Sequence, residues 1–175
     1  MYYGNIKSPD IANGPGCRVS LFVSGCNHHC RGCFNPEAWS FTYGEPFTSK
    51  TLEMLLNELK KPYISGITFL GGEPLDKQNR IFVKDIILQI RKNIPEKTIW
   101  VYSGFTFEKL ISEIKSGDTD LLTIFKNIDT LVDGPFILDK KNISLKFRGS
   151  ENQRIINIKE SMKHHAVIEY KEDEI

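Results

Sequence analysis

Cys26, Cys30 and Cys33 stand in the run Ser24-Gly25-Cys26-Asn27-His28-His29-Cys30-Arg31-Gly32-Cys33-Phe34-Asn35-Pro36, a C-x3-C-x2-C spacing that offers three thiolates from one short loop. Cysteine thiolate is the usual ligand of a [4Fe-4S] cluster, which has four iron corners. Three ligands leave one iron without a protein partner, free to bind something else. The competing reading is a zinc site of three cysteines and a histidine, with His28 or His29 as the fourth ligand. Structural zinc sites usually combine two ligand pairs from separated knuckles, and the chain has no second pair. The spacing favours iron–sulfur chemistry, with His28 and His29 as solvated loop residues or partner contacts. Cys17 lies upstream and reads as a small buried hydrophobe.

A second motif is Gly71-Gly72-Glu73-Pro74. Two glycines reach backbone conformations closed to other residues and let a ligand approach the main chain. The carboxylate that follows can accept charge-assisted hydrogen bonds from an ammonium group. Such a turn says little alone. Beside an open iron corner it becomes a candidate seat for an amine-bearing ligand.

The elements that must position these residues are legible from periodicity. Cys17–Val23 alternates apolar and polar residues and predicts a strand running into the cysteine loop. Lys50 to Lys60 carries Leu52, Leu55, Leu56 and Leu59 at helical spacing, with Thr48 as cap and Pro62 as stop. Gly66–Leu70 predicts a second strand ending in the glycine turn. A helix follows from about Asn79 to Lys92, and Thr98–Tyr102 predicts a third strand turned by Ser103-Gly104. Helices at about Thr106 to Ser116 and Asp120 to Lys126 lead to the strand Thr130–Val132; a further strand is Ile155–Ile158. The tail from Glu169 to Ile175 reads as a frayed end. Alternating strands and helices imply parallel strands with crossover helices. Functional loops in such sheets gather at the carboxyl ends of the strands. Cys26, Gly71 and Ser103 all follow strand ends and should share one rim. The expected fold class is α/β, a partial, open barrel of about five or six mainly parallel strands, since a full eight-stranded barrel needs about 250 residues.

Composition bounds the rest. A chain of 175 residues fits one domain, here taken as 1–175, and can fold without disulfide staples. With 40% apolar and 26% charged residues it matches an ordinary globular protein, and a net charge of +1 argues against broad phosphate neutralisation on nucleic acid. No signal-peptide pattern opens the chain, and no apolar run reaches the roughly 20 residues of a membrane span. Three clustered cysteines without export signals point to metal or redox chemistry in a reducing cytoplasm.

The cysteine run and the Gly-Gly-Glu turn together resemble the radical S-adenosylmethionine superfamily. Asn13-Gly14-Pro15-Gly16-Cys17-Arg18 is similar to the segment that precedes the cluster loop in activases of glycyl radical enzymes. Val132-Asp133-Gly134-Pro135-Phe136 and Phe147-Arg148-Gly149-Ser150-Glu151-Asn152-Gln153-Arg154-Ile155 resemble later motifs of one branch, the activators of anaerobic ribonucleoside-triphosphate reductase. The likeness runs from about Asn13 to Ile158. It implies that Cys26, Cys30 and Cys33 hold a [4Fe-4S] cluster whose open iron is chelated by S-adenosylmethionine. It implies that Gly71, Gly72 and Glu73 receive the methionine end, that Gly32, Cys33 and Phe34 lie along the adenosine, and that Ser103 contacts ribose or carboxylate. Asp133 would face the same site or serve as a turn residue. No catalytic side chain is required beyond the cluster and cofactor. The implied partners are the catalytic subunit of the reductase, as protein substrate, and a flavodoxin-type electron donor. Many superfamily members carry an aromatic residue before the third cysteine; here Gly32 takes that place and Phe34 follows the cysteine.

Other readings remain open at this level. Within the same chemistry the chain would activate another glycyl radical enzyme, such as pyruvate formate-lyase, or act on a small molecule. From another class it would be a zinc-bound interaction module without catalysis. The polar run Arg148–Arg154 reads as a partner-docking segment or as a connection before the strand that follows.

Overall fold

The computed structural model describes residues 1–171. Its strands are β1 (Tyr2–Asp10), β2 (Cys17–Val23), β3 (Glu45–Pro46), β4 (Ile64–Gly71), β5 (Thr98–Tyr102), β6 (Thr130–Asp133) and β7 (Arg154–Asn157). They form one seven-stranded sheet in the order β3-β1-β2-β4-β5-β6-β7. The central junctions β2–β4, β4–β5 and β5–β6 are parallel. Towards the edges β1 runs antiparallel to β2 and β3, and β7 antiparallel to β6. The mixed α/β class follows the sequence reading, but the strand count does not. Seven strands replace the expected five or six, and the antiparallel pairings make the sheet less uniformly parallel than expected.

The extra strands have a physical reason for escaping notice. β1 carries Gly4, Lys7 and Pro9, and Asp10 is its one buried residue. It therefore lacks the apolar alternation that marks a half-buried strand. β3 is two residues long and exposed. By contrast Val19, Leu21 and Val23 of β2 are fully buried, as are Ile67 and Phe69 of β4. Strands covered on both faces read as apolar runs.

Helices α1 (Ser49–Leu59), α2 (Lys77–Asn93), α3 (Phe107–Lys115) and α4 (Thr119–Asn127) supply the crossovers, and α5 (Ile158–His164) follows β7. Each starts on a side-chain cap: Thr48, Asp76, Thr106, Asp118 and Asn157. At α1 the cap is reciprocal. Thr48 Oγ1 accepts from Thr51 N–H at 3.3 Å and Thr51 Oγ1 from Thr48 N–H at 3.2 Å, closing two donors that the first turn would leave open. Leu55 and Leu59 of α1 and Val83, Ile87 and Ile90 of α2 are fully buried in the main core. Each such side chain contributes roughly 1.5–3 kcal/mol over its exposed state.

At the far edge the tail departs from the frayed end expected for it. Asn157 N–H donates to Ile168 O at 2.8 Å and Tyr170 N–H to Ile155 O at 2.9 Å, and Glu169 bridges Ile156. Residues 172–175 of that expectation lie outside the described part. Among the described residues no helix is long and apolar enough to cross a membrane.

Candidate functional site

The parallel strands β2, β4, β5 and β6 release their loops at one rim. Their carboxyl ends lead respectively into Ser24-Gly25-Cys26, Gly72-Glu73, Ser103-Gly104 and Gly134-Pro135. With the segment from Phe136 to Gln153 these loops enclose a cavity of about 510 Å³. Cys26, Cys30, Cys33, Phe34, Gly71, Gly72, Glu73 and Ser103 all line it. The sequence reading thus placed eight of these residues on one wall system; only Gly32 lies outside the lining. Its φ of +75° requires glycine, and a Cβ there would stand 2.9 Å from Leu138 Cδ1.

All four cysteines are free thiols. Cys26, Cys30 and Cys33 share the cavity, whereas Cys17 sits at the opposite end of β2 and packs against the core. Among the described residues no group of three or more His, Cys, Asp and Glu converges on a single-ion position. The three thiols line one cavity, and a [4Fe-4S] cluster would offer each thiolate its own iron. Burial pushes the Cys26 thiol up to about 11, with Glu73 and Cys30 adding to the rise against the His28 and His29 amides. Burial raises Cys30 as well. Loading iron at these sulfurs must release their protons.

The cysteine loop is bolted to the glycine turn through main chain. Gly72 N–H donates to Val23 O at 2.7 Å and Glu73 N–H to Gly25 O at 2.8 Å. A Cβ at Gly72 would stand 2.5 Å from Gly25 O, so the two loops can meet this closely only without a side chain there. Asn79, buried in α2, donates from Nδ2 to Ser24 O at 2.9 Å and to Glu73 O at 3.0 Å, tying both loops from below.

Glu73 is 1% exposed and its carboxylate is the hub of the rim. Oε1 accepts from Leu75 N–H and from Ser103 Oγ, each at 2.9 Å. Oε2 accepts from Gly104 N–H at 2.7 Å and lies 2.9 Å from His28 Nε2. The Ser103 hydroxyl in turn accepts from Phe105 N–H at 3.1 Å. Ser103 thus lines the cavity, but its hydroxyl holds Glu73.

His28 departs from its expected place. It is half-buried, not a solvated loop residue; its ring meets Phe105 edge-on at 4.4 Å, and the bond from Glu73 raises its pKa against the effect of burial. From sequence His28 reads as a zinc ligand, a solvated loop residue or a partner contact. A carboxylate distant in sequence gave no local signal for this pairing. His29 lies outside, its ring 4.6 Å from that of Trp39. Phe34 is 72% exposed, 5.3 Å from the Phe136 ring, with Lys141 Nζ 5.2 Å from its centroid.

Asp133 does not line the cavity. Its buried carboxylate accepts from Phe107 N–H at 2.6 Å and binds Arg154 at 3.0 and 2.5 Å. It anchors the start of α3 and joins β6 to β7. The run Arg148–Arg154 forms cavity wall: Arg148, Gly149 and Gln153 line it. Gln153 Oε1 accepts from Gly149 N–H at 2.9 Å while Nε2 donates to Gly134 O at 3.0 Å. Asn152 Nδ2 donates to Pro135 O at 2.8 Å. This polar run buttons the loop after β6 in place.

Arg18 was read only as part of a motif, and it is wholly buried. Nε donates to Thr68 Oγ1 at 2.7 Å, Nη1 to Thr98 Oγ1 at 2.9 Å and Nη2 to Ile67 O at 2.7 Å. Thr68 Oγ1 passes the contact on to Asn13 O at 2.7 Å, and Asn13 lines the cavity. Desolvation lowers the Arg18 pKa to about 10.

The chain is similar to known proteins along most of its length. Residues 12–156 match a family model described as a 4Fe-4S single cluster domain. An anaerobic ribonucleoside-triphosphate reductase-activating protein of Enterobacteria phage T4 is 40% identical over 157 residues, covering 89% of this chain and 93% of the relative. The protein of the same description from Pasteurella multocida is 41% identical over 157 residues, 89% and 96% of the two chains. The one from Escherichia coli K12 is 37% identical over 161 residues, 91% and 100%.

Proposed function

The chain belongs to the family of anaerobic ribonucleoside-triphosphate reductase-activating proteins, and from that premise we propose that it generates a glycyl radical on the catalytic subunit of such a reductase. One observation carries the reading: three thiols, the Gly-Gly-Glu turn and Ser103-Gly104, far apart in sequence, line one cavity at one rim. In this reading residues 1–175 form a single radical S-adenosylmethionine domain in the cytoplasm, and the open sheet is the partial barrel of that superfamily.

Cys26, Cys30 and Cys33 would hold a [4Fe-4S] cluster, leaving its fourth iron for the amine and carboxylate of S-adenosylmethionine. Held there and reduced by a flavodoxin-type donor, such a cluster would supply the single electron that reductive cleavage of S-adenosylmethionine requires. The balance would be methionine and 5′-deoxyadenosine as products, with the Cα hydrogen of one partner glycine lost and a glycyl radical stored there.

The chain's own residues bind, orient and exclude water. Gly71 and Gly72 leave main chain open to the methionine end. Glu73 draws the ammonium; since its carboxylate already has four partners, the ammonium takes the place held by His28. Ser103 and Gly104 fix the carboxylate while this exchange occurs. Phe34 and Phe136 form an apolar edge beside the adenosine, with Gly32 giving Cys33 its approach. No proton is transferred by a side chain in hydrogen-atom abstraction, consistent with a site built from thiols, glycines and one carboxylate.

The test is low-temperature EPR of anaerobically reconstituted, reduced protein with and without S-adenosylmethionine. A [4Fe-4S]1+ signal that changes on addition supports the reading. Zinc without acid-labile sulfide overturns it in favour of a binding module.

A further inference from the structure

Residues 140–151 turn back on themselves at the edge of the cavity. Lys141 bridges Ser150 in antiparallel register, Asn142 N–H donates to Gly149 O at 3.3 Å, and Glu151 N–H donates to Lys140 O at 2.9 Å. The resulting hairpin serves two sides. Leu145, Phe147, Arg148 and Gly149 line the cavity. Lys140, Lys141, Ile143 and Lys146 are exposed, Ile143 by 91%.

The exposed side meets the cysteine loop. Lys141 Nζ stands 5.2 Å from the centroid of the Phe34 ring, itself 72% exposed and next to Cys33, and Leu138 lies against Gly32. Positive charge gathers here. Arg31, Lys140, Lys141, Lys146 and Arg148 stand against Asp139 and Glu151, a net charge of +3 where the whole chain carries +1. One exposed apolar side chain is ordinary, but Phe34, Leu138 and Ile143 set among cations make the mixed surface that binds protein. Ile143 and Leu138 offer nothing to a phosphate backbone, which favours a polypeptide. A cationic surface steers and selects acidic partners. Electron carriers make small, transient contacts, whereas a chain seated on this hairpin lies beside the cavity that a partner glycine has to enter.

We propose that the outer side of the 140–151 hairpin, with Phe34 and Arg31, docks an acidic segment of the reductase catalytic subunit and anchors it on Ile143. The inference rests on the function proposed above and adds how the protein substrate is recognised.

The experiment measures, by calorimetry at low and high salt, binding of the purified reductase catalytic subunit to anaerobically reconstituted full-length protein. Lys140→Glu and Ile143→Ser are compared with wild type and with Lys92→Glu, the same charge change at an exposed position of α2. Wild-type affinity should fall as salt rises. Lys140→Glu should weaken binding about tenfold at low salt and less at high salt, and Ile143→Ser about fivefold at both. Lys92→Glu should bind as wild type. All three variants should keep normal iron and sulfide and, without the subunit, cleave S-adenosylmethionine with dithionite at the wild-type rate. Unchanged affinity in Lys140→Glu or Ile143→Ser overturns the proposal, as does an equal loss in Lys92→Glu or a wild-type affinity indifferent to salt. So does a wild type that cleaves S-adenosylmethionine yet does not bind the subunit. Unchanged subunit affinity with slower cluster reduction by a flavodoxin in Lys140→Glu would assign the surface to the electron donor and overturn it too. If the wild type assembles no cluster or cleaves no S-adenosylmethionine, the proposed function fails first, a result distinct from any of these.

Discussion

His28 Nε2 stands 2.9 Å from Glu73 Oε2 inside the cavity, the one side-chain base on a carboxylate otherwise held by two amides and a serine hydroxyl. An ionised carboxylate only accepts hydrogen bonds, so this nitrogen carries the proton and donates. In the proposed function, the cofactor ammonium would meet an occupied position at the glycine turn, and His28 would have to yield it.

Replacing His28 with Phe should therefore tighten S-adenosylmethionine binding, by about 1 kcal/mol or fivefold, the net scale of one ordinary hydrogen bond. Glu73→Gln, which keeps shape but loses charge, should weaken binding by tenfold or more. Calorimetric titration of reconstituted protein reads both. Equal affinity in wild type and His28→Phe would mean that the ammonium goes elsewhere.

Cys30→Ala should remove cluster assembly and activation together, because two thiolates leave two irons unheld. Iron and sulfide analysis after reconstitution measures it. Cys17→Ala should leave both contents at the wild-type level, since its thiol packs into the core at the other end of β2.

Arg18→Lys should destabilise the fold by about 3 kcal/mol, close to the loss from removing a buried charge's partners. Lysine has no planar fork to reach Thr68, Thr98 and Ile67 at once. Urea unfolding of the apo-protein gives the number. A loss below 1 kcal/mol would show that the fork is dispensable.

Asp10 should make stability fall in acid. Burial works to raise its pKa, yet bonds from Ser20, Asn13, the Ala12 amide and Lys7 outweigh it and bring the value down to about 2. A carboxylate lowered in the folded state stabilises above its unfolded pKa near 4 and loses that contribution as pH falls through 2. Apo-protein unfolding free energy should drop by ~1–2 kcal/mol across this window. In Asp10→Asn that part of the slope should vanish.

Much of the site was legible because its chemistry is local. The cysteine spacing and the Gly-Gly-Glu turn are contiguous motifs, and the strand ends that carry them have strong apolar patterns. What stayed hidden depends on residues far apart in sequence. His28 on Glu73, Asp133 on Arg154 and the buried fork of Arg18 are pairings that no window along the chain contains. β1 went unseen because only Asp10 is buried on it, so it contributes hydrogen bonds to the sheet without an apolar signature. The tail's pairing with β7 was hidden by its polar composition, which resembles an unattached end.

The two flanks of the sheet are closed to different extents among the described residues. On one side β3 is a two-residue stub ending in Pro46, which has no amide proton to give. On the other, residues 168–170 already occupy the outer side of β7. Exposed, unpaired strand edges are where proteins zip together and aggregate. Here β3 covers β1 only at Tyr2 and Tyr3, while the chain's own residues 168–170 cover β7. The β7 side is therefore occupied from within the chain, and the loops at the carboxyl ends of β2, β4, β5 and β6 carry the cavity.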